Sequence, residues 1–232
     1  MKNNQPTQKE VEDYISSFLS QQFGESPQSV RAAIRAPFMV IHLVDFFIPS
    51  EQLLLKRNEV KRVAKTRDIL LDGVKPELLQ GLNAITGVNV KELYADWNLE
   101  KGSGMFIAVL DAEADQALLE SPVEVNTSAL KEKVITISKK TQKEPDFIEV
   151  YWLDDTTVLI ERKGFMVDIE KELIRNGVIE ELRLAKRPLE HRVMEFIKLE
   201  PVFDRNINDL FVDWNFLEDK AYMVFLLKSS IE

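Results

Sequence analysis

The chain has 232 residues, of which 45% are hydrophobic and 30% charged, with a formal net charge of −9 and no cysteine. The length suits two domains, and the composition is that of folded, well-solvated protein rather than a disordered one. Missing thiols exclude disulfides, thiolate nucleophiles and cysteine-ligated metals, and the acidic balance argues against general nucleic-acid affinity, which needs clustered cations.

Met1 to Pro6 is polar with no apolar stretch behind it, so it does not read as a secretory signal. Thr7-Gln8-Lys9-Glu10 then has capping-box spacing. Val11, Ile15, Phe18, Leu19 and Gln22 follow at helical spacing and predict a helix that Gly24 to Pro27 stops. Val30 to Arg35 alternates with period two, as a half-buried strand does. Ala36-Pro37 is a turn signal, and bulky apolar residues from Phe38 to Phe47 predict a second strand paired as a hairpin. The apolar stretch from Phe38 to Ile48 is far shorter than the ~20 residues a helix needs to cross a bilayer. A soluble, cytoplasmic chain with no direct membrane span is expected.

Pro49-Ser50-Glu51 opens a helix, with Ser50 as the cap. It runs from about 50 to 84, either as one helix bent near Gly73 and Pro76 or as two helices with a break. Thr86-Gly87 ends it. Val88 to Trp97 and Met105 to Leu110 predict a second hairpin, turning at Lys101 to Gly104. Asp111 to Ser128 is acidic, holds Pro122 and is the linker candidate, with a helical turn possible over Gln116 to Glu120. The order then repeats: a helix from Ser128 to Lys140, strands over Phe147 to Leu153 and Thr156 to Arg162, a helix from Asp168 to about Leu199, and a last hairpin over Asn208 to Trp214 and Ala221 to Leu227.

Leu93-Tyr94-Ala95-Asp96-Trp97-Asn98 and Leu210-Phe211-Val212-Asp213-Trp214-Asn215 are one phrase written twice, each followed by an apolar run at the same distance. The expected fold is therefore α+β: a tandem repeat of an α-β-β-α-β-β two-layer domain with antiparallel four-stranded sheets, over residues 1–115 and 116–232, packed as a pseudo-dimer. The second long helix is expected to be the shorter.

The Asp-Trp-Asn phrases read first as core tryptophans whose flanking Asp and Asn bond to nearby backbone, and second as a pocket. Lys56, Arg57, Lys61, Arg62, Lys65 and Arg67 form a basic segment, echoed by Arg183, Lys186, Arg187 and Arg192. Both read as solvated helix faces, with an anion- or polynucleotide-binding stripe as the alternative. Arg67 falls on the apolar side of its helix, with Val60, Val63, Ala64, Leu70, Leu71 and Val74. A guanidinium there needs a carboxylate partner or a route to water. The candidate ligand or anion site is Arg67 with Arg31, Arg35 and Lys65. His42 is expected to be packed in its strand and His191 to lie on the surface. No nucleophile, carboxylate couple, metal cluster or cofactor loop stands out, so no catalytic residue, metal ligand or cofactor is assigned, and a non-enzymatic role is expected.

Ser26-Pro27-Gln28-Ser29-Val30-Arg31, Phe46-Phe47-Ile48-Pro49-Ser50-Glu51, Lys65-Thr66-Arg67 and Ile85-Thr86-Gly87-Val88 give the first half, from about Gln8 to Asp111, a resemblance to the MpsC-like family, named for a Na+-translocating membrane-potential-generating system. The second half resembles a diverged copy. The resemblance implies a soluble accessory or regulatory protein acting through a protein partner, such as a membrane transporter component, with a homodimer as a further option. Nucleic-acid or anion binding through the basic helix faces is the alternative function.

Overall fold

The computed structural model describes residues 8–122 and 125–229; Thr7 of the expected capping box lies outside them. The chain divides into two compact units between Asp115 and Gln116.

In the first unit, α1 (Gln8–Phe23) precedes the hairpin of β1 (Ser29–Arg35) and β2 (Phe38–Val44). Helices α2 (Pro49–Leu55) and α3 (Val60–Thr86) follow, then β3 (Val90–Asn98) and β4 (Ser103–Leu110). The second unit opens with a short 3-10 turn, Gln116–Leu119, inside the acidic segment. It continues with α4 (Thr127–Thr141), β5 (Phe147–Trp152), β6 (Thr157–Lys163), α5 (Asp168–Arg175), α6 (Ile179–Ile197), α7 (Glu200–Phe203), β7 (Ile207–Asn215) and β8 (Lys220–Leu227). Each unit has one antiparallel four-stranded sheet, ordered β1-β2-β4-β3 and β5-β6-β8-β7. This is the α+β helix–strand–strand–helix–strand–strand plan, made twice.

The repeat extends to details that no shared motif announces. Both third strands carry a register shift at their start, between Val90 and Glu92 and between Ile207 and Asp209. The extra residue re-aims the strand by a bulge at the same place in each sheet. In the second unit one sheet face carries Val150, Trp152, Val158, Ile160, Val212, Trp214, Met223 and Phe225. Leu130, Val134 and Ile137 of α4, Leu182 and Met194 of α6 and Phe203 of α7 join them in one core.

The segment after Pro49 is two helices, and the break falls earlier than the glycine and proline suggest. It lies at Lys56 to Glu59, where Asn58 takes a left-handed conformation at φ 60°. The Glu59 N–H turns back to the carbonyl of Leu54. The second unit breaks the same way, with Gly177 at φ 77° and the Val178 N–H bonded to the Leu173 carbonyl; the continuous helix expected from Asp168 is therefore α5 and α6. Asn and Gly are the residues that enter this region at least cost. Pro76 stays inside α3 because it is exposed, so the hydrogen bond it removes lies on the solvent side. Ser50 does not cap α2: Ile48 is the cap residue and Pro49 opens the helix. α6 has 19 residues against 27 in α3, so the second long helix is the shorter.

Gly87 closes α3 in a left-handed conformation, φ 67°, with its N–H on the Asn83 carbonyl. A Cβ there would meet nothing within 4 Å. Gly87→Ala therefore isolates backbone strain, and its expected cost is about 1 kcal/mol, read as a lower urea midpoint.

Candidate functional site

Arg67 lies on the inner face of α3 and is 2% exposed. The carboxylate it requires belongs to Glu51, the third residue of α2. Arg67 Nε donates to both Glu51 oxygens at 3.0 Å, and its second guanidinium nitrogen reaches Glu51 Oε2 at 2.6 Å and the Phe46 carbonyl at 3.1 Å. The guanidinium carbon sits 4.9 Å from the centre of the Phe46 ring and 4.8 Å from that of Trp97. Two aromatic faces and a bidentate carboxylate thus replace part of the water that a buried guanidinium loses, while Nη1 has no hydrogen-bond partner among the described residues. Trp97 completes the group by donating its indole N–H to Asp68 Oδ1 at 3.3 Å.

The second unit rebuilds this group from different residues. Glu170 is the third residue of α5, as Glu51 is of α2, and Lys186 is the eighth of α6, as Arg67 is of α3. Lys186 Nζ donates to Glu170 Oε1 at 2.7 Å. It lies 5.3 Å from the ring centre of Phe165 and 5.6 Å from that of Trp214. Glu170 also reaches back to the Val167 N–H at 3.1 Å, tying the start of α5 to the same carboxylate. A cation clamped between an N-terminal helix carboxylate and two aromatic rings is therefore a feature of the fold itself.

A second buried pair exists only in the second unit. The sheet rows Leu43–Gly104–Trp97 and Arg162–Ala221–Trp214 match, so Arg162 stands where the first unit has Leu43. Glu190 is the twelfth residue of α6, where α3 has Leu71. Arg162 bonds Glu190 Oε2 at 2.7 Å and Ser138 Oγ at 3.0 Å, with both ionic side chains fully buried. Glu190 Oε1 accepts from Trp214 Nε1 at 3.1 Å and from Gln142 Nε2 at 3.1 Å. A buried apolar pair in one copy is thus a buried ion pair in the other.

Burial alone would raise the Glu190 pKa, but Arg162 and Lys186 beside it outweigh that and hold it below its ordinary 4.5. Burial pulls Lys186 below its ordinary 10.5 despite Glu190 and Glu170. For Glu190 the unfolded chain binds the proton more readily than the folded one. Its contribution to stability is complete above pH 4.5 and is lost as pH falls through its depressed folded value. The expected result is a urea midpoint that drops on acidification below about pH 4.5, and drops less in Glu190→Gln. Tryptophan fluorescence reads it, because two of the three indoles, Trp152 and Trp214, are in the second unit.

The candidate anion residues do not converge. Arg31 pairs with His42 and so lies on the sheet face carrying Met105 and Asp96, opposite the Trp97 face over which Arg67 packs. Arg35 shares the face of Arg31, at the far end of β1. Lys65 is half-buried on α3. The second basic segment is not a solvated face: Lys186 and Arg187 are buried. Arg183 pairs with Asp213 and reaches the Trp214 carbonyl at 3.3 Å. His42 is buried, 8% exposed, and His191 is half-buried rather than on the surface.

The Asp-Trp-Asn phrases have one structural job in each unit. Asp96 and Asp213 each accept the N–H of the following tryptophan at 2.8 Å. Asn98 accepts from the Lys101 N–H at 3.2 Å and Asn215 from the Glu218 N–H at 3.3 Å, shaping the two hairpin turns. Among the described residues, no group of three or more His, Asp or Glu side chains could hold a metal ion.

Sequence reading missed Glu51, Glu170 and the Arg162–Glu190 pair. The signal was present as a second offset: residues from β2 to the long helix match at 119, against 117 for the last hairpin, and the larger offset superimposes Phe46, Glu51 and Arg67 on Phe165, Glu170 and Lys186.

The family model described as Na+-translocating membrane potential-generating system (MpsC) matches residues 3–112. No curated protein and no solved structure matches the chain. The matched stretch coincides with the unit that ends at Asp115, and the second unit repeats its strand order, its bulge, its helix break and its buried clamp. The first unit of this chain is thus the part that matches the MpsC family model, and the second is a diverged repeat of the same fold.

Proposed function

We propose that the chain is a non-enzymatic accessory or regulatory component of an inorganic-ion or membrane-potential system, acting through contacts with a protein partner. The observation that carries this reading is the match of the first unit to a family described by that system. The buried cations Arg67, Lys186 and Arg162 face Glu51, Glu170 and Glu190 and are taken up in holding the fold together. No helix among the described residues is long and apolar enough to cross a membrane. In this reading the ion pathway belongs to a partner polypeptide.

The test is affinity capture of the tagged full chain from detergent-solubilised native membranes after crosslinking. Recovery of an integral-membrane subunit of an ion-translocating complex is the expected result. Recovery of soluble proteins alone contradicts the proposal.

A further inference from the structure

Lys56 to Arg62 is a run of seven exposed residues at the corner where α2 breaks into α3. It holds four cations, Lys56, Arg57, Lys61 and Arg62, against one acid, Glu59, in a chain whose net charge is −9. None of the four cations makes an ion pair among the described residues. Large apolar side chains stand out among them: Leu53 is 65% exposed, Val60 46% and Ile69 56%. On the helical wheel of α3, Lys61, Arg62 and Ile69 lie on the side away from Val63, Arg67 and Leu71.

The second unit shows that the fold does not require this chemistry. At the positions of Leu53, Arg57, Lys61 and Arg62 it carries Glu172, Asn176, Glu180 and Glu181, on the same pair of helices broken at the same place. At these four positions one corner is basic and apolar and its structural twin is acidic and polar, while the twin keeps Arg175 for Lys56 and Ile179 for Val60. A charge that the fold tolerates in reverse is set by what the corner meets.

We propose that the α2–α3 corner of the first unit docks on an anionic lipid surface, with Leu53 and Ile69 entering the headgroup layer and Lys56, Arg57, Lys61 and Arg62 on the phosphates. A protein partner calls for a contiguous apolar centre with a polar rim. Here the corner is dominated by a cluster of four cations with a few exposed apolar side chains beside it, Leu53, Ile69 and Leu70, the arrangement of segments that lie in a membrane interface. Single-stranded nucleic acid calls for aromatic platforms among the cations, and Leu, Val and Ile offer none. The inference rests on the corner and not on the identity of any protein partner.

Co-sedimentation of the full chain with phosphatidylcholine vesicles, with and without phosphatidylglycerol, tests it. Binding is expected only to the anionic vesicles and is expected to weaken as salt is raised. The variant Leu53→Glu, Arg57→Asn, Lys61→Glu, Arg62→Glu carries the residues that the second unit already accommodates. It should keep its circular dichroism and urea midpoint and lose about 100-fold or more in vesicle partitioning. Leu53→Ser alone, with the charge untouched, should lose about tenfold. The proposal is overturned by no vesicle binding, by equal binding to neutral and anionic vesicles, or by parental binding in the fourfold variant. Binding to duplex DNA or polyglutamate with none to vesicles overturns it as well. The vesicles contain no protein, so this outcome is separate from capture of a membrane subunit.

Discussion

Glu190→Ala destabilises the second unit by about 3–5 kcal/mol, because it strands a guanidinium that is fully buried from solvent. Arg162 keeps only Ser138 as a polar partner, and Trp214 Nε1 and Gln142 lose their acceptor at the same time. Arg162→Leu alone costs a similar amount, since Glu190 is then a buried carboxylate whose nearest remaining cation is Lys186 at 4.0 Å, with only the neutral donors Trp214 Nε1 and Gln142 Nε2 bonded to it. The double variant Arg162→Leu with Glu190→Leu behaves differently. It restores the pair that the first unit carries in Leu43 and Leu71, which are 0% and 6% exposed. Replacing a buried ion pair by apolar residues is often neutral or stabilising, so the double variant should lie within about 2 kcal/mol of the parent. Urea midpoints of the four proteins check this. Additive losses would mean that the two copies do not pack alike around that row.

Arg67→Ala is the second large effect, about 3–5 kcal/mol, for the same reason with the signs exchanged. It leaves Glu51, 7% exposed, without its bidentate partner and opens space between the Phe46 and Trp97 rings. Arg67→Lys is expected to cost only about 1–2 kcal/mol. A lysine already fills this position in the second unit and holds Glu170 with one ammonium. What the replacement loses is the fork geometry and the contact to the Phe46 carbonyl. Urea midpoints rank the two variants, and amide exchange should show α2 loosening first, because Glu51 is its tie to α3.

The architecture was legible in the sequence because it rests on local signals. Strand alternation, glycine and proline stops and the doubled Asp-Trp-Asn phrase place the hairpins, the sheets and the repeat. The helix break was not legible in the same way. Asn58 reads as an ordinary polar residue in a charged stretch, whereas Pro76 reads as a breaker. Their effects reverse, because a left-handed residue ends a helix wherever it falls and a proline on the solvent side of a long helix is absorbed. The seam position of Arg67 followed from helical periodicity, and so did its need for a carboxylate. Its partner did not, because Glu51 lies on another helix and becomes a neighbour only after the chain turns. Lys186 and Arg187 were misread as surface for a related reason: a charged stretch looks the same whether water or a buried counterion balances it.

Arg67 and Glu51 form a structural clamp belonging to the fold, made again as Lys186 and Glu170. The most direct test is the coupling free energy between Arg67→Met and Glu51→Leu from the four urea midpoints of a double-variant cycle. The clamp predicts that each single variant loses about 3–5 kcal/mol and that the double variant recovers most of it. Losses that simply add, or single variants as stable as the parent, would contradict it.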